Sequence, residues 1–420
     1  MRQAVILAGG KGTRLQSILN GLPKPLVEFC GKPLLLWQLE ALERYGFKEV
    51  LLLTHHKSEI IERFVKGVTT SMKVHIFKEP KPLGSGGALI FNRDNLYKKF
   101  LVVYGDVFFD VDLNKMWSAC EDAEGIVATH PNSHPQDSDL VDTDESSFIS
   151  RFSGYPHSDG NAFPNLVNAG LVILKRDLLD GLVLDESVSD LAKDLFPHWI
   201  LAGKRLYSHK TVEYIKDIGT PDRLERASLD FNSGFVASRS ALRKRKAIFL
   251  DRDGTLIRDV GHLKKIDEIE LLPGAIEAIK HINKSEYLSI LVTNQPVIAR
   301  GELTYDGLKL VHNRFEHLMG IEGCFLDAIY FCPHHPDQGF EGEVKELKFV
   351  CDCRKPSSGL ITKAEADFNI DLSRSWFLGD SKADEGAAYN AGLQFLPVHG
   401  NTYAEAENVL SCVKKILGDK

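Results

Sequence analysis

The chain contains no long hydrophobic run and no surplus of positive charge. No uninterrupted apolar stretch reaches the roughly 18 residues that a membrane span needs, and the formal net charge is −7. This charge argues against nucleic acid or an anionic membrane as a partner. The N-terminus also lacks a recognisable signal peptide, because its apolar segment is short and leads directly into glycines. We therefore expect a cytoplasmic globular protein.

Cysteine is scarce, with 7 residues in 420. Without an export signal, these thiols are expected to stay reduced or to bind metal rather than to form disulfides. Cys30, Cys120, Cys324 and Cys412 have no partner at a metal-binding spacing and are predicted to be ordinary thiols. Three cysteines remain for a special role.

Strand-like and helix-like patterns alternate along the whole chain, which predicts an α/β protein with parallel sheets covered by helices. A length of 420 residues is sufficient for two domains with separate cores. The stretch 232–245 is first small and polar and then basic, and it is predicted to be a linker or a short connecting helix. The expected domains are 1–231 and 246–420. A single strand is expected over 205–216 and a helix over 403–416.

The first candidate site is the stretch LAGGKGTRL, which follows a predicted buried strand. Backbone N–H groups at Gly9, Gly10 and Gly12 can surround phosphate oxygens, and Arg14 and Lys24 can supply positive charge. The spacing matches neither the P-loop nor the dinucleotide-binding fingerprint. Because a glycine-rich turn alone also fits a simple tight turn, the interpretation depends on other motifs.

Five further stretches follow in order: PKPLVEF (23–29), EPKPLGSGGAL (79–89), YGDVFFD (104–110), NAGLVIL (168–174) and KDIGTPDRL (216–224). Together with the glycine-rich loop, they resemble the motifs of sugar-1-phosphate nucleotidyltransferases over about the first 230 residues. The resemblance implies a Rossmann-like sheet. It also implies that a sugar 1-phosphate attacks the α-phosphate of a nucleoside triphosphate, with pyrophosphate as the leaving group.

The same resemblance implies roles for individual residues. Arg14 would hold the leaving pyrophosphate and Lys24 the reacting phosphates, because two anions must be brought together in line. Asp106 and Asp217 would bind Mg²⁺ through hard oxygen ligands, although Asp217 also fits a residue that merely begins a turn. The remaining expected contacts are Gly9, Gly10, Gly12 and Thr13 with the nucleotide, Gly84 with the base, and Asn168 and Gly170 with the sugar.

Glu79 is expected to select the base. A carboxylate only accepts hydrogen bonds, and guanine presents two adjacent donors, N1–H and N2–H₂. Glu79 therefore favours GTP over UTP or TTP, unless its side chain points to solvent.

The second candidate site is FLDRDGTL at 249–256. Two aspartates two residues apart at the end of a strand are expected to point the same way, because strand side chains alternate. One can attack phosphorus while the other handles the proton of the leaving group. The pattern resembles the first motif of haloacid-dehalogenase-type phosphotransferases. VTNQ (292–295), CRKP (353–356) and LGDSKAD (378–384) follow in the order of that family.

This second resemblance implies a Rossmannoid sheet and an aspartyl-phosphate intermediate. Asp251 would be the nucleophile and Asp253 the general acid and base. Mg²⁺ would be bound by Asp251, Asp380 and the backbone carbonyl of Asp253, with Asp384 as a candidate supporting ligand. The phosphoryl group and the substrate would contact Asp259, Thr293, Asn294, Arg354 and Lys355.

Cysteine and histidine form the pattern C-x-H…C-x-C at 332–334 and 351–353. Ligands of this type and number predict a closed, four-coordinate zinc site. The expected ligands are Cys332, His334, Cys351 and Cys353, with His335 as the alternative to His334. Such a site would be structural, because it would stabilise the intervening loop and fix Arg354 and Lys355.

Zinc ligands combined with these phosphatase motifs resemble a narrow group, the D-glycero-D-manno-heptose 1,7-bisphosphate phosphatases and the related histidinol-phosphate phosphatases. Removing the 7-phosphate from heptose 1,7-bisphosphate gives heptose 1-phosphate, which is a substrate for a sugar-1-phosphate guanylyltransferase. The pairing of the two halves therefore predicts a bifunctional enzyme of GDP-D-glycero-α-D-manno-heptose synthesis that uses GTP.

Three alternatives remain open at the level of the sequence. The first is a mannose-1-phosphate guanylyltransferase joined to an unrelated phosphatase of the histidinol-phosphate type. The second is a nucleotide-sugar sensor that regulates the phosphatase. The third is a structural protein in which the site aspartates are dispensable.

Overall fold

The computed structural model describes residues 1–157, 163–183, 189–339, 341–400, 402–403 and 405–418. These residues form two compact units. The first unit comprises Met1–His130, Ser138–His157 and Val167–Ser240. The second unit comprises Pro131–Asp137, the described part of Ser158–Leu166 and the described residues from Ala241 onward. Two short segments from the first half of the chain thus belong to the second unit.

The first unit contains thirteen strands and eight α-helices among its described residues. The strands are β1 (Gln3–Ala8), β2 (Glu28–Phe29), β3 (Lys32–Pro33), β4 (Glu49–Thr54), β5 (Lys73–Lys78), β6 (Lys99–Tyr104), β7 (Val107–Asp110), β8 (Gly125–His130), β9 (Leu140–Thr143), β10 (Ile149–Ser153), β11 (Val167–Lys175), β12 (Leu206–Lys210) and β13 (Tyr214–Asp217). The helices are α1 (Gln16–Leu19), α2 (Leu34–Arg44), α3 (Ser58–Lys66), α4 (Gly84–Phe91), α5 (Leu113–Trp117), α6 (Phe196–Leu201), α7 (Pro221–Asn232) and α8 (Phe235–Arg239).

The main sheet of this unit is mixed, whereas parallel sheets were predicted. Strands β5, β4, β1 and β6 are parallel neighbours, but β11 runs antiparallel to both β6 and β8. A parallel connection needs a crossover of a dozen or more residues, usually a helix. No α-helix lies between β8 and β9 or between β9 and β10 among the described residues, so these strands extend the sheet in antiparallel fashion.

The prediction of one strand over 205–216 is wrong. Strand β12 pairs with β8 in the main sheet, whereas β13 pairs with β7 in a separate two-stranded sheet. The break between them is stabilised by Glu213, whose N–H donates to Thr211 Oγ1 at 3.1 Å and whose carboxylate accepts the N–H of Asp112 at 3.0 Å. The second strand is thereby directed to β7.

Apolar side chains of the central strands form the core of the first unit. Ile6 on β1, Leu52 on β4 and Val103 on β6 are fully buried, and they belong to one cluster with Leu35 and Leu39 of α2. Burying an aliphatic side chain of this size contributes about 1.5–3 kcal/mol. The same packing fixes the carboxyl ends of the strands, where α/β sheets bind ligands.

The second unit contains a five-stranded parallel sheet. Its strands are β14 (Lys246–Leu250), β15 (Tyr287–Asn294), β16 (Ala328–Cys332), β17 (Trp376–Gly379) and β18 (Gln394–Pro397). Its helices are α9 (Ala275–Asn283), α10 (Tyr305–Ile321), α11 (Gly359–Phe368), α12 (Lys382–Ala391) and α13 (Val409–Leu417). The strand order is β16-β15-β14-β17-β18 and all neighbours are parallel. The α/β class is therefore confirmed, and the carboxyl end of β14 lies at the centre of one sheet edge.

The last helix begins later than predicted, at Val409 instead of near residue 403. Asn408 caps it, since its side chain accepts the N–H of Ser411 at 3.0 Å. In the part of the chain that the structure describes, no helix combines the length and the apolar character needed to cross a bilayer.

Candidate active sites

Two adjacent strand ends bring Asp106 and Asp217 together in the first unit. Asp106 lies in the turn between β6 and β7, and Asp217 is the last residue of β13. Because β13 pairs with β7, the backbone N–H of Ile218 reaches the carbonyl of Asp106 at 2.9 Å. The two carboxylates thus stand at one end of the small sheet.

Gly219 lies close to both carboxylates and to Lys24. A Cβ built on Gly219 would lie 2.6 Å from Asp217 Oδ1, 2.8 Å from Lys24 Nζ and 3.3 Å from Asp106 Oδ2. Lys24 forms an ion pair with Asp106, and Arg223 forms one with Asp217. Two carboxylates and two cations within a few ångströms can hold both a hard metal ion and phosphate oxygens. Gly219 and Arg223 are not among the predicted site residues, although both lie in KDIGTPDRL.

The glycine-rich loop approaches the same group. Gly12 has a φ of +64°, and a Cβ there would lie 3.0 Å from Lys24 Cβ, so a side chain would displace Lys24. Thr13 and Arg14 form a short 3₁₀ turn directly after it, and both are exposed. A Cβ on Gly10 would meet no atom within 4 Å, which leaves the backbone there open to a ligand.

Glu79 is buried, so the alternative in which it points to solvent does not hold. It is 6% exposed, and its Oε2 accepts the backbone N–H of Leu83 at 3.2 Å. Burial raises the pKa of Glu79 above its ordinary value, although the hydrogen bond from the N–H of Leu83 acts to lower it. Its Oε1 lies 3.2 Å from the Cβ position of Gly9, and Gly84 begins α4 with a φ of +78°. Glu79 and these glycines therefore line one region.

The residues expected to contact the sugar lie on β11. The side chain of Asn168 accepts the N–H of Gly170 at 3.2 Å. Gly170 has a φ of +75°, and a Cβ there would lie 3.0 Å from Val107 and 3.3 Å from Tyr104. This close packing places Asn168 and Gly170 beside the turn that carries Asp106.

In the second unit, Asp251 and Asp253 do not lie on the strand. Strand β14 ends at Leu250, and the carbonyl of Arg252 accepts the N–H groups of Leu256 and Ile257, each at 3.0 Å. A tight turn that begins at Arg252 thus follows the strand, so alternation along β14 does not by itself orient the two aspartates. Their directions are determined instead by their polar partners.

A buried lysine holds the nucleophile candidate. Lys355 Nζ lies 2.6 Å from Asp251 Oδ1 and 2.6 Å from Asp384 Oδ1, and it donates to the carbonyl of Val292 at 2.8 Å. Asp384 also accepts the N–H and the hydroxyl of Ser381, at 3.0 and 2.5 Å. Asp384 thus caps α12 and orients Lys355 at the same time.

Asp251, Asp380 and Asp384 offer carboxylate oxygens within 4.8 Å of one another. Burial raises the pKa of Asp251, although Lys355 opposes the shift. Burial and the nearby Asp384 raise the pKa of Asp380 to about 6. Crowded, desolvated carboxylates are stabilised by a hard divalent cation, so this donor set fits one. One Asp384 oxygen contacts Lys355 and the other accepts from Ser381, whereas only one Asp251 oxygen contacts Lys355. Asp251 and Asp380 are therefore the residues best placed to hold the ion; the side chain of Asp253 is not in this group.

The other predicted phosphatase residues surround this cluster. Asn294 and Lys355 exchange side-chain and backbone hydrogen bonds at 3.0 and 3.1 Å, and Thr293 Oγ1 accepts from Gln295 at 2.8 Å. Asp259 is exposed and lies near enough to Asp380 to raise its pKa further.

The predicted zinc ligands converge in the second unit. Cys353 Sγ lies 3.3 Å from Cys332 Sγ, 3.2 Å from Cys351 Sγ and 3.1 Å from His334 Nδ1. Cys332 Sγ also lies 3.6 Å from Cys351 Sγ and 3.7 Å from His334 Nδ1. Bond lengths of about 2.0–2.3 Å place the ligands of a tetrahedral zinc about 3.5–3.8 Å apart, so these two distances match a bound zinc, whereas the three distances from Cys353 are shorter. His335 Nδ1 accepts the N–H of Asp337 instead. None of the seven cysteines forms a disulfide.

The Cys/His cluster is connected directly to the phosphatase site. Arg354 follows the candidate ligand Cys353 and donates to the carbonyl of His334 at 3.3 Å. Lys355 is the next residue. A metal in the cluster would therefore fix the backbone that places Lys355 between Asp251 and Asp384.

Comparison with known proteins supports the predicted combination of a nucleotidyltransferase and a phosphatase. Residues 3–234, more than half of the chain, match the nucleotidyl transferase family, and residues 352–412 match the HAD-hydrolase-like family. The chain is 39% identical over 176 residues to the D-glycero-β-D-manno-heptose-1,7-bisphosphate 7-phosphatase of Salmonella typhi, which covers 41% of this chain and 92% of that protein.

Two solved structures are also similar to parts of the chain. HddC from Yersinia pseudotuberculosis in complex with GMP-PN has 27% identity and a TM-score of 0.47, and the match covers 55% of this chain and 100% of HddC. The D,D-heptose 1,7-bisphosphate phosphatase of B. bronchiseptica with magnesium and phosphate has 30% identity and a TM-score of 0.37, over 41% of this chain and 98% of that protein. The family matches and the curated relative show that the chain belongs to the nucleotidyl transferase family. They also show that it carries a HAD-like phosphatase of the D-glycero-β-D-manno-heptose-1,7-bisphosphate 7-phosphatase family.

Proposed function

We propose that the protein is a bifunctional enzyme of GDP-D-glycero-α-D-manno-heptose synthesis. The second unit removes the 7-phosphate of heptose 1,7-bisphosphate, and the first unit transfers GMP from GTP to the resulting heptose 1-phosphate, with release of pyrophosphate. One observation carries this proposal: a relative of the second unit is a phosphatase whose product is a sugar 1-phosphate, and the first unit belongs to a family of nucleotidyl transferases. Consecutive reactions explain why both are in one chain.

The phosphatase reaction begins at Asp251. One Asp251 oxygen forms a bond to phosphorus while the bond between phosphorus and the sugar oxygen breaks. The sugar oxygen keeps the bonding electrons and takes a proton from the carboxyl group of Asp253. Water then attacks the phosphorus of the aspartyl-phosphate and gives a proton to the Asp253 carboxylate, while the bond between phosphorus and the Asp251 oxygen breaks. This step releases phosphate and restores the Asp251 carboxylate and the Asp253 carboxyl group. Lys355, Thr293 and Arg354 are the groups proposed to hold the phosphate oxygens. Mg²⁺, held by Asp251, Asp380 and the Asp253 carbonyl, would neutralise charge on the phosphoryl oxygens.

The transfer reaction depends mainly on positioning and charge neutralisation. Lys24 lies next to Asp106 and the glycine-rich loop, so it can contact phosphates that the backbone of Gly10 and Gly12 surrounds. Arg14 is exposed at the end of that loop, where it can hold the departing pyrophosphate. Asp106 and Asp217 would hold Mg²⁺ at the reacting phosphate.

The choice of GTP rests on Glu79. A buried acceptor with one oxygen bonded to Leu83 has its other oxygen available, and guanine supplies two adjacent donors at its Watson–Crick edge. UTP and TTP offer a single N3–H donor there, and a desolvated carboxylate gains less from it. Because GTP is a cytoplasmic metabolite, we propose that the enzyme acts in the cytoplasm. Zn²⁺ in the Cys/His cluster would be structural.

The anomer of the sugar is a separate part of the proposal. The phosphatase relative is named for the β anomer, whereas we infer the α anomer from the pairing with a guanylyltransferase. Parallel turnover of the two anomeric bisphosphates distinguishes them.

Substrate preference tests the proposal. Pyrophosphate release should be fast with GTP and heptose 1-phosphate and slow with mannose 1-phosphate or UTP, and phosphate release should prefer heptose 1,7-bisphosphate to histidinol phosphate. Asp106→Asn should abolish pyrophosphate release and leave phosphate release intact, while Asp110→Asn on the same small sheet serves as the control. A preference for mannose 1-phosphate, or full pyrophosphate release by Asp106→Asn, would favour the alternatives.

A further inference from the structure

Arg252, between the two aspartates of the phosphatase turn, is among the most buried charged residues of the second unit. It is 1% exposed, and its backbone carbonyl closes the turn that follows β14. Placing a guanidinium away from water costs several kcal/mol unless it is paired and hydrogen-bonded. The partner of Arg252 therefore indicates why a cation is buried at this position.

That partner is the neighbouring Asp253. Arg252 Nε donates to both oxygens of Asp253 at 3.2 Å, and Nη2 lies 3.0 and 2.9 Å from the same two oxygens. Gln295 completes a triangle, because it accepts from Arg252 Nη2 at 2.9 Å and donates to Asp253 Oδ2 at 3.0 Å. The same amide group donates to Thr293 Oγ1 at 2.8 Å. A guanidinium that contacts both carboxylate oxygens restricts the orientation of the carboxylate as well as its position.

The two aspartates are thus separated by their partners. Asp251 is paired with Lys355, whereas Asp253 is paired with Arg252 and Gln295. Charge balance alone does not explain why Asp253 is paired with Arg252 and Gln295. The Asp253 side chain is 23% exposed and could be solvated, while Arg252 beneath it is 1% exposed. Burying the cation under a carboxylate that reaches solvent is better explained by the need to aim that carboxylate.

We propose that Arg252 and Gln295 are positioning residues that direct Asp253 toward the oxygen of the leaving group. This inference rests on the proposed phosphatase reaction, in which Asp253 gives a proton to the departing sugar oxygen and later accepts one from water. Arg252 also pairs with the carboxylate that remains after the proton has left. Neither Arg252 nor Gln295 forms or breaks a bond, and both act only through Asp253.

The choice of leaving group tests this role. A sugar alkoxide departs only with a proton, whereas p-nitrophenolate departs without one, so misplacing the general acid should slow the first reaction and spare the second. The first chemical step is measured by rapid quench under single-turnover conditions, with heptose 1,7-bisphosphate and with p-nitrophenyl phosphate. Only this step is compared, because hydrolysis of the aspartyl-phosphate also uses Asp253.

Arg252→Lys and Gln295→Leu should slow the step with the bisphosphate about 10²–10⁴-fold, the usual contribution of general acid catalysis, and the step with p-nitrophenyl phosphate less than tenfold. Asp253→Asn should show the same selective loss, and Gln394→Leu, at an exposed position of β18, should show none. Equal losses with both substrates, or no loss, in Gln295→Leu would overturn the proposal even if Arg252→Lys does not fold. The underlying phosphatase function has its own test. An Asp251→Asn variant that still reacts with both substrates would contradict that function.

Discussion

Replacement of Lys355 by methionine removes the cation that joins two buried carboxylates. Lys355 is 4% exposed, and its ammonium group lies 2.6 Å from both Asp251 and Asp384. Burial alone would lower the pKa of Lys355, but the two carboxylates raise it above its ordinary value. The lysine is therefore charged, and Lys355→Met leaves two negative groups without their counter-ion while nearly preserving the side-chain volume.

The expected cost is large for a single substitution. Removing one partner of a buried ion pair costs about 3–5 kcal/mol, and the Val292 carbonyl loses a donor as well. We expect the free energy of unfolding of the second unit to fall by about 3–5 kcal/mol. In the same variant, phosphatase turnover should fall about 10²–10³-fold, because a preorganised positive group at the proposed phosphoryl site is lost.

Hydrogen exchange measured by mass spectrometry separates this effect from changes in the first unit. With a chelator present, so that no divalent ion replaces the lysine charge, amide protection in β14 and β17 should fall about 10²–10³-fold or more, while protection in β1 and β4 stays unchanged. Lys363→Met, at an exposed position of α11, is the matched control. A loss of less than about 1 kcal/mol together with near-normal phosphatase turnover would refute the account of Lys355.

Three further predictions concern other sites. Cys351→Ser should bind much less zinc than the wild type and lose phosphatase activity while it keeps nucleotidyl transfer; equal zinc content would contradict the metal assignment. Burial lowers the pKa of His209 to about 4, so the unfolded state binds the proton first as pH falls below about 6.5, and the first unit should lose about 2 kcal/mol between pH 7 and pH 5; a His209→Gln variant with the same pH slope in denaturation would show that another group is responsible. Gly254→Ala should lower phosphatase turnover about 100-fold, because its Cβ would collide with the Asp380 carboxylate; Gly261→Ala has a similar positive φ and open space, and an equal loss in that control would mean that backbone strain alone is the cause.

The positions of the main elements follow from local sequence patterns. The apolar runs at β1 and β14 are followed by glycine and aspartate, respectively, and each run forms a largely buried strand. The two strands within 205–216 could not be separated, because the interruption contains neither glycine nor proline. It depends on the hydrogen bonds that Glu213 donates to Thr211 and accepts from Asp112. The contact with Asp112, which is distant in the chain, has no local signal.

The candidate sites were predictable to different extents. The Cys/His cluster was predictable, because the short spacings C-x-H at the end of β16 and C-x-C before α11 bring four metal-binding side chains together. The environment of Asp253 was not, since it depends on a turn that replaces the strand after Leu250 and on the side chain of Gln295. Gly219 was overlooked because its importance lies in what surrounds its missing side chain, namely Lys24, Asp106 and Asp217.

A single time course tests whether one chain catalyses two consecutive reactions. Wild-type protein is mixed with heptose 1,7-bisphosphate and GTP, and phosphate, pyrophosphate and GDP-heptose are followed together. Phosphate should appear first, and pyrophosphate and GDP-heptose should then rise in equal amounts. In Asp251→Asn all three products should be absent until heptose 1-phosphate is added, which should restore pyrophosphate and GDP-heptose alone. Formation of GDP-sugar without prior phosphate release, or a failure of added heptose 1-phosphate to restore it, would contradict the account.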